Sequence, residues 1–236
     1  GLGFMTMAAI LFAMTRRRIS LHDRMTMAEG LGEDRLQGVV RLCRSAVLVT
    51  FACELAGALL LAVRFIPEYG FGRGLWFGLF HAVSAFCNAG FDLIGGYRSF
   101  TGYAGDAFVL LILAGLVVIG GLGFTVILDV RQTRKKGLKY LRLHSKLVLA
   151  GTAFLLVFGT VLFLIMKYTN EATIGDMPFF QKVLSAFFQS ATLRTAGFNS
   201  IDQLALRDPS KGVGILLMLT GGAPAGTAGG LKITTI

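Results

Sequence analysis

Ser185-Ala-Phe-Phe-Gln-Ser-Ala-Thr-Leu-Arg-Thr-Ala-Gly-Phe-Asn-Ser200 is too short and too polar to cross a bilayer. It nevertheless stands between two apolar segments, residues 147–166 and a run that begins near Val213. The same design occurs earlier, where Phe80-His-Ala-Val-Ser-Ala-Phe-Cys-Asn-Ala-Gly-Phe-Asp92 lies between residues 46–66 and 107–128. In both copies a Phe (Phe80, Phe187) stands ten residues before a Gly (Gly90, Gly197), and Ala-Gly-Phe follows a small polar residue (Asn88, Thr195). The pattern is span, half-helix, glycine-centred turn, span.

Main chain that enters a membrane as a short helix and returns extended leaves carbonyl groups without partners. Such backbone survives at depth only inside protein or against a water-filled cavity. Carbonyls lining a cavity can replace the water shell of a cation. A half-helix that ends just before the glycine also turns its negative dipole end toward that cavity. Gly90 and Gly197 suit a turn with φ > 0 or a close approach between symmetry mates. The bland alternative is a pair of amphipathic connectors with ordinary turn glycines, and a second copy weakens it.

Composition agrees with a membrane setting. Hydrophobic residues make up 54%, charged residues only 15%, and mean hydropathy is +0.69; soluble domains are about a quarter charged. Residues 107–128 and 147–166 hold no charge, and about twenty such residues cross the roughly 30 Å hydrocarbon core. An all-α integral membrane protein follows, without room for a separate soluble domain. The net charge of +10 is concentrated in two loops, from Arg16 to Arg44 and from Arg131 to Lys146, whereas the other side mixes Arg64, Glu68, Arg73, Asp92 and Arg98. That asymmetry places the basic loops in the cytoplasm and the chain in the cell membrane, and argues against nucleic acid as partner. Cys43, Cys53 and Cys87 lack paired spacing, and His22, His81 and His144 lack metal-ligand spacing, so no zinc site or disulfide framework is indicated.

Taken in order, residues 1–44 read as the end of an inner helix (1–14) and a basic loop with a short amphipathic helix near 25–29. Residues 45–130 form a complete span–pore loop–span unit with its re-entrant part at 75–94, Pro67 with Gly70, Gly72 and Gly74 ending its first span. Residues 131–146 are the second basic loop. Residues 147–236 form most of a further unit, with a re-entrant part at 180–199. The chain opens at Gly1 without an initiator Met and stops after a glycine-rich break, which suggests a piece of a longer protein; the apolar start has its basic residues on the wrong side for a signal peptide. Glu54 falls mid-span, where an ionised carboxylate is costly: it marks function or is a packed, hydrogen-bonded acid.

The last segment is abnormal. After Ile215–Leu219 comes Thr220-Gly-Gly-Ala-Pro-Ala-Gly-Thr-Ala-Gly-Gly-Leu-Lys232, with five glycines and a proline in ten residues, which no regular helix continues through. A break at membrane depth points to a flexible gate beneath the second glycine turn, on the cytoplasmic side. A phosphate-binding loop is the rival, but Lys232 is followed by Ile233 and the Gly-Lys-Ser/Thr ending is missing. Gly121-Leu-Gly-Phe124 likewise lacks the third glycine of a dinucleotide fingerprint. Gly121-Leu-Gly-Phe124 matches Gly1-Leu-Gly-Phe4, and Gly120-Gly-Leu122 matches Gly229-Gly-Leu231; taken singly, each glycine pair could simply permit close helix contact.

Asn88-Ala-Gly-Phe91, Thr195-Ala-Gly-Phe-Asn199 and the segment from Gly221 to Lys232 together resemble the Ktr/Trk/HKT superfamily of potassium uptake proteins, and above all its Ktr-type membrane subunit. The resemblance extends over essentially the whole chain. It implies repeated span–re-entrant loop–span units around a pseudo-fourfold pore, the chain holding the end of unit one, unit two and most of unit three. By that resemblance Asn88, Ala89, Gly90, Thr195, Ala196 and Gly197 belong to a potassium selectivity filter. Gly221, Gly222, Pro224, Gly226, Gly229 and Gly230 belong to an intramembrane gate, with Lys232 bordering it. Arg194 would support the filter with its guanidinium turned off the axis, bonded to backbone carbonyls or to Asp202. The resemblance further implies potassium as substrate, no cofactor in this chain and no other metal, with sodium left open as a coupling or regulatory ion. It also implies a homodimer seated on cytosolic nucleotide-binding regulatory subunits. Two rival classes remain at this point: a membrane-embedded enzyme pairing Glu54 with Asp92 or His81, and a non-conducting scaffold.

Overall fold

The computed structural model describes residues 39–134, 136–168, 170, 173–175, 177–224 and 226–235. The inner-helix end, the short amphipathic helix and the Gly1-Leu-Gly-Phe4 repeat expected within 1–44 lie outside, or almost wholly outside, these residues. Seven α-helices are described: α1 (Val39–Tyr69), α2 (Phe71–Phe86), α3 (Ala107–Leu122), α4 (Phe124–Thr133), α5 (Leu143–Lys167), α6 (Phe179–Thr192) and α7 (Asp208–Leu219). Among the described residues the only strand-like pairing is an isolated bridge between Thr220 and Leu231.

Residues 45–69 of α1 and the whole of α5 are long and apolar enough to cross a membrane, and α3 with α4 make a third such span if counted together. The distribution of exposed side chains fits lipid. Leu48, Phe51, Leu55, Leu59 and Val63 line the outer face of α1, and Phe154, Val157, Val161 and Ile165 that of α5. The shorter helices α2 and α6 are built the other way, with polar groups inside: His81 and Ser84 on α2, and Ser185, Gln189, Ser190 and Thr192 on α6, are all buried. In lipid, helices associate through close packing and hydrogen bonds rather than water exclusion. Both devices are present. Ser190 Oγ donates to Leu156 O of α5 at 3.0 Å, and Gly74 lets α2 lie so close to α1 that a Cβ there would sit 2.5 Å from Ile66 Cα.

That packing corrects the first expected boundary. Pro67 lies inside α1, and Gly72 and Gly74 lie inside α2. Gly70 alone, at φ 81°, separates the two helices. Proline in a last turn removes one amide whose loss is tolerable near a helix end, and the glycines serve contact rather than termination.

The second correction is larger. Residues 107–128 do not form one straight span: the chain bends by 95° between α3 and α4. Gly123 makes the break at φ 82° and ψ 151°, a region open essentially to glycine alone. The start of α3 is well defined, since Asp106 Oδ1 accepts from Val109 N at 3.2 Å and Asp106 Oδ2 pairs with Arg64 Nε at 2.7 Å. An N-cap of this kind contributes about 1 kcal/mol. The neighbouring Tyr103 hydroxyl donates to Glu68 at 2.8 Å. Burial, then its bonds with Tyr69 and Glu68, push that phenol well above its ordinary range, so it remains a donor.

Candidate functional site

Each half-helix ends by folding its next amides back onto itself. After α2, Asn88 N donates to Ala85 O at 3.1 Å and Ala89 N to Ser84 O at 2.9 Å. After α6, Ala196 N and Gly197 N both donate to Thr192 O, at 2.8 and 3.3 Å. The carbonyls one step further on are also occupied: Ser84 Oγ donates to Phe91 O at 2.8 Å, and Thr192 Oγ1 to Phe198 O at 2.7 Å. Between these anchors, six carbonyl oxygens receive no hydrogen bond from any described residue. They belong to Asn88, Ala89, Gly90, Thr195, Ala196 and Gly197. Backbone carbonyls in a membrane rarely go unpaired.

The two turns touch. A Cβ on Gly90 would collide with Ala196 O and come within 2.9 Å of Gly197 Cα, while one on Gly197 would lie 3.5 Å from Gly90 Cα. Left-handed residues sit at matching places, Asn88 (φ 50°) and Gly90 (φ 71°) against Thr195 (φ 69°) and Gly197 (φ 92°). Residues held in such conformations cost about 1–3 kcal/mol each unless glycine, and persist only when the surroundings fix them. Asn88 is fixed within its own unit. Its side-chain amide, oriented by its hydrogen-bonding surroundings, donates to Ala85 O and Val117 O, both at 3.2 Å.

The outer walls of the turns are tied together as well. Phe100 N donates to Asn199 O at 2.8 Å, and Asn199 N to Ser99 Oγ at 3.1 Å. The Phe100 ring meets His81 edge-on at 5.0 Å and Phe198 at 5.4 Å. Gln189 and Gln203 exchange amide bonds at 3.1 and 3.3 Å. His81, fully buried, donates from Nδ1 to Phe77 O at 2.8 Å and accepts from Leu93 N at Nε2, 3.1 Å. It acts as a neutral strut behind the first turn. Replacing it by Leu leaves the Leu93 amide unpaired, which should cost about 1–3 kcal/mol, read as a lower unfolding temperature of the detergent-solubilised full-length protein.

The glycine-rich segment after α7 lies against both turns. Helix α7 has twelve residues, about 18 Å of helix, and the chain then leaves and returns at the Thr220–Leu231 bridge. Ala223 N donates to Gly121 O at 2.9 Å and Thr227 N to Gly120 O at 3.0 Å. These are carbonyls of the last turn of α3, freed by the Gly123 break. Thr227 Oγ1 donates to Phe86 O, the last residue of α2, at 2.9 Å. Gly229 N donates to Thr195 Oγ1 at 2.8 Å. Lys232 Nζ closes back on Ala228 O at 2.8 Å. Gly222 and Gly226 approach the Gly121 carbonyl so closely that a Cβ would fall 2.5 and 2.8 Å from its oxygen.

Arg194 is buried, with a partner other than the backbone carbonyls or Asp202 expected. Its Nη2 donates to Thr152 Oγ1 of α5 at 3.4 Å, while Asp202 accepts instead from its own turn, at Leu204 N. The guanidinium is thus turned outward to α5, and its Nε has no partner among the described residues. Among the described residues no hydrogen bond joins Glu54 to Asp92 or His81, the partners of the enzyme alternative. Glu54 Oε1 takes a long contact from Cys87 Sγ at 3.8 Å, Asp92 accepts from Ile94 N, and His81 holds Phe77 and Leu93. Sequence reasoning named His81 only as a possible partner of Glu54 and missed its role as a strut, and it missed Phe100 and the hydroxyls of Ser84 and Thr192 altogether. Both hydroxyls stood in the repeated stretches, but one register apart, which hid their common role.

A family model described as TrkH, cation transport protein, matches residues 1–236. The chain belongs to that family. Within it, the chain is 41% identical over 235 residues to Ktr system potassium uptake protein B of Vibrio alginolyticus, covering 100% of this chain and 51% of that protein. It is 40% identical to the protein of the same name from Bacillus subtilis, covering 100% and 52%. It is 39% identical to potassium/sodium uptake protein NtpJ of Enterococcus hirae, covering 100% and 51%. The chain therefore spans about half the length of the curated relatives it matches. These relatives are named as uptake proteins and not as enzymes. The crystal structure of the potassium transporter TrkH from Vibrio parahaemolyticus has the same fold, with a TM-score of 0.70 at 16% identity over 89% of this chain and 42% of that one.

Proposed function

We propose that these 236 residues supply two corners of a cation-selective filter, and its gate, in a potassium uptake protein of the membrane. The observation that supports this reading best is the set of six carbonyls, where the Gly90 and Gly197 turns meet, that receive no hydrogen bond from a described residue. Such oxygens can take the place of a cation's water shell. The carboxyl ends of α2 and α6 lead into the turns, each bringing a partial negative charge that favours a cation. Asn88, Ala89, Gly90, Thr195, Ala196 and Gly197 are the ion ligands, and Arg194 braces the third unit through Thr152, away from the axis. The segment containing Gly221, Gly222, Pro224, Gly226, Gly229 and Gly230, closed by Lys232, is the gate on the inner side. Potassium descends its electrochemical gradient through the filter when this segment withdraws.

Physics alone selects a cation; potassium is drawn from the names of the relatives, and the potassium/sodium name of one keeps sodium as a coupling or regulatory ion. Phe91 is 70% exposed although its counterpart Phe198 is fully buried against Phe100. A further unit of the full-length protein covers it. The span–pore loop–span units are 45–130 and 147–236, with 1–44 completing a preceding one. The basic loop 131–146 is cytoplasmic, and docks nucleotide-binding regulatory subunits beneath a homodimer. Rubidium uptake by the full-length protein in a potassium-starved host is the test. Saturable uptake is the expected result; none, from correctly inserted protein, would leave the scaffold alternative standing.

A further inference from the structure

We infer that Thr195 is a positioning residue that couples the gate to the filter, through the hydrogen bond its hydroxyl accepts from Gly229 N. The inference rests on the filter-and-gate reading above. Its starting point is a mismatch between the two copies. Both place a non-glycine residue in left-handed backbone two positions before the glycine, Asn88 and Thr195. Asn is among the few residues that visit this region readily, and a β-branched residue there is an outlier. Thr195 is therefore a poor choice for the backbone unless its hydroxyl has a task.

The partners differ in the same sense. Asn88 bonds to carbonyls of α2 and α3, both regular helices of its own unit. Thr195 bonds to the glycine-rich loop, 2.8 Å from Gly229 N. The loop's other attachments, Ala223 and Thr227, are to Gly120, Gly121 and Phe86 of the preceding unit. The Gly229 bond is the one among these that reaches the third-unit turn. When the loop withdraws, the Asn88 corner keeps its support and the Thr195 corner loses it. The Thr195 carbonyl is one of the six oxygens without a hydrogen bond among the described residues, so opening the gate changes the filter itself.

The test uses the full-length protein, with rubidium uptake measured in the presence and absence of competing sodium. Thr195→Ala should raise uptake about fivefold, the size of one lost hydrogen bond, and Thr195→Ser should move it less. Gly229→Pro removes the same bond from the loop side while leaving Thr195 itself unsubstituted, and should act in the same direction as Thr195→Ala. It also decides the matter if Thr195→Ala fails to insert. In protein lacking residues 221–226, Thr195→Ala should add nothing, because the two changes share one interaction. Effects that multiply would overturn the coupling, as would a Gly229→Pro protein with unchanged uptake. If the loop deletion alone leaves uptake unchanged, the gate reading fails. If the deletion raises uptake while neither point variant does, the gate stands and the coupling falls.

Discussion

Gly90→Ser in the full-length protein should lower the preference for potassium over sodium by at least about tenfold, and Gly197→Ser by clearly less. The order comes from two separable costs. Both positions have left-handed backbone, φ 71° and 92°, so any side chain pays a conformational penalty of about 1–2 kcal/mol at either. Only at Gly90 does the new Cβ also meet main chain, since Ala196 O and Gly197 Cα stand in its place. Backbone cannot swing aside like the end of a flexible side chain, so the Ala196 carbonyl must tilt. A tenfold change in selectivity corresponds to about 1.4 kcal/mol, less than the strain such a collision produces. At Gly197 the nearest atom, Gly90 Cα, lies 3.5 Å away, an ordinary contact. Paired rubidium and sodium flux measurements on each variant check both magnitude and order. Selectivity retained by well-inserted Gly90→Ser protein would remove the filter assignment.

The repeated half-helices and the glycine turns were legible because glycine is conspicuous beside short polar stretches in an otherwise apolar chain. The break at Gly123 was not. Gly120, Gly121 and Gly123 lie in an uncharged run, and glycines in membrane helices more often serve close packing than termination. What makes the break tolerable is remote in sequence: the amides of Ala223 and Thr227 take the carbonyls it frees. Arg194 shows the same limit, for its partner Thr152 is 42 residues away on another helix. Nothing beside Arg194 points there, whereas Asp202 is close by in sequence and already occupied by its own turn. Pro67 erred in the opposite direction. Its local signal was strong, but α1 runs on two residues past it because α2 packs against that last turn. Local chemistry therefore located the turns, and tertiary partners decided which irregularities beside them were breaks.

Removing residues 221–226 should raise rubidium uptake of the full-length protein several-fold. The Thr220–Leu231 bridge brings the two ends of the excursion together, and the four residues left between them are enough for a tight turn. Helix α7 and the chain beyond Leu231 can thus keep their places while the crossing from one unit to the next is lost. The deletion abolishes the Ala223–Gly121 bond and takes away the Gly222 and Gly226 backbone that packs on Gly121. It also shortens the chain that delivers Thr227 to Phe86 and Gly229 to Thr195. Each hydrogen bond lost from the closed arrangement is worth about 1 kcal/mol, and two or three suffice to move a gate from mostly closed to mostly open, since each 1.4 kcal/mol is tenfold in population. Selectivity separates this outcome from simple damage. A leak through a disrupted bundle would pass sodium as readily as rubidium, whereas an open gate beneath an intact Gly90–Gly197 contact keeps most of the discrimination. The Thr195 corner alone should loosen. Unchanged uptake in the deletion variant would mean that the glycine-rich segment closes nothing.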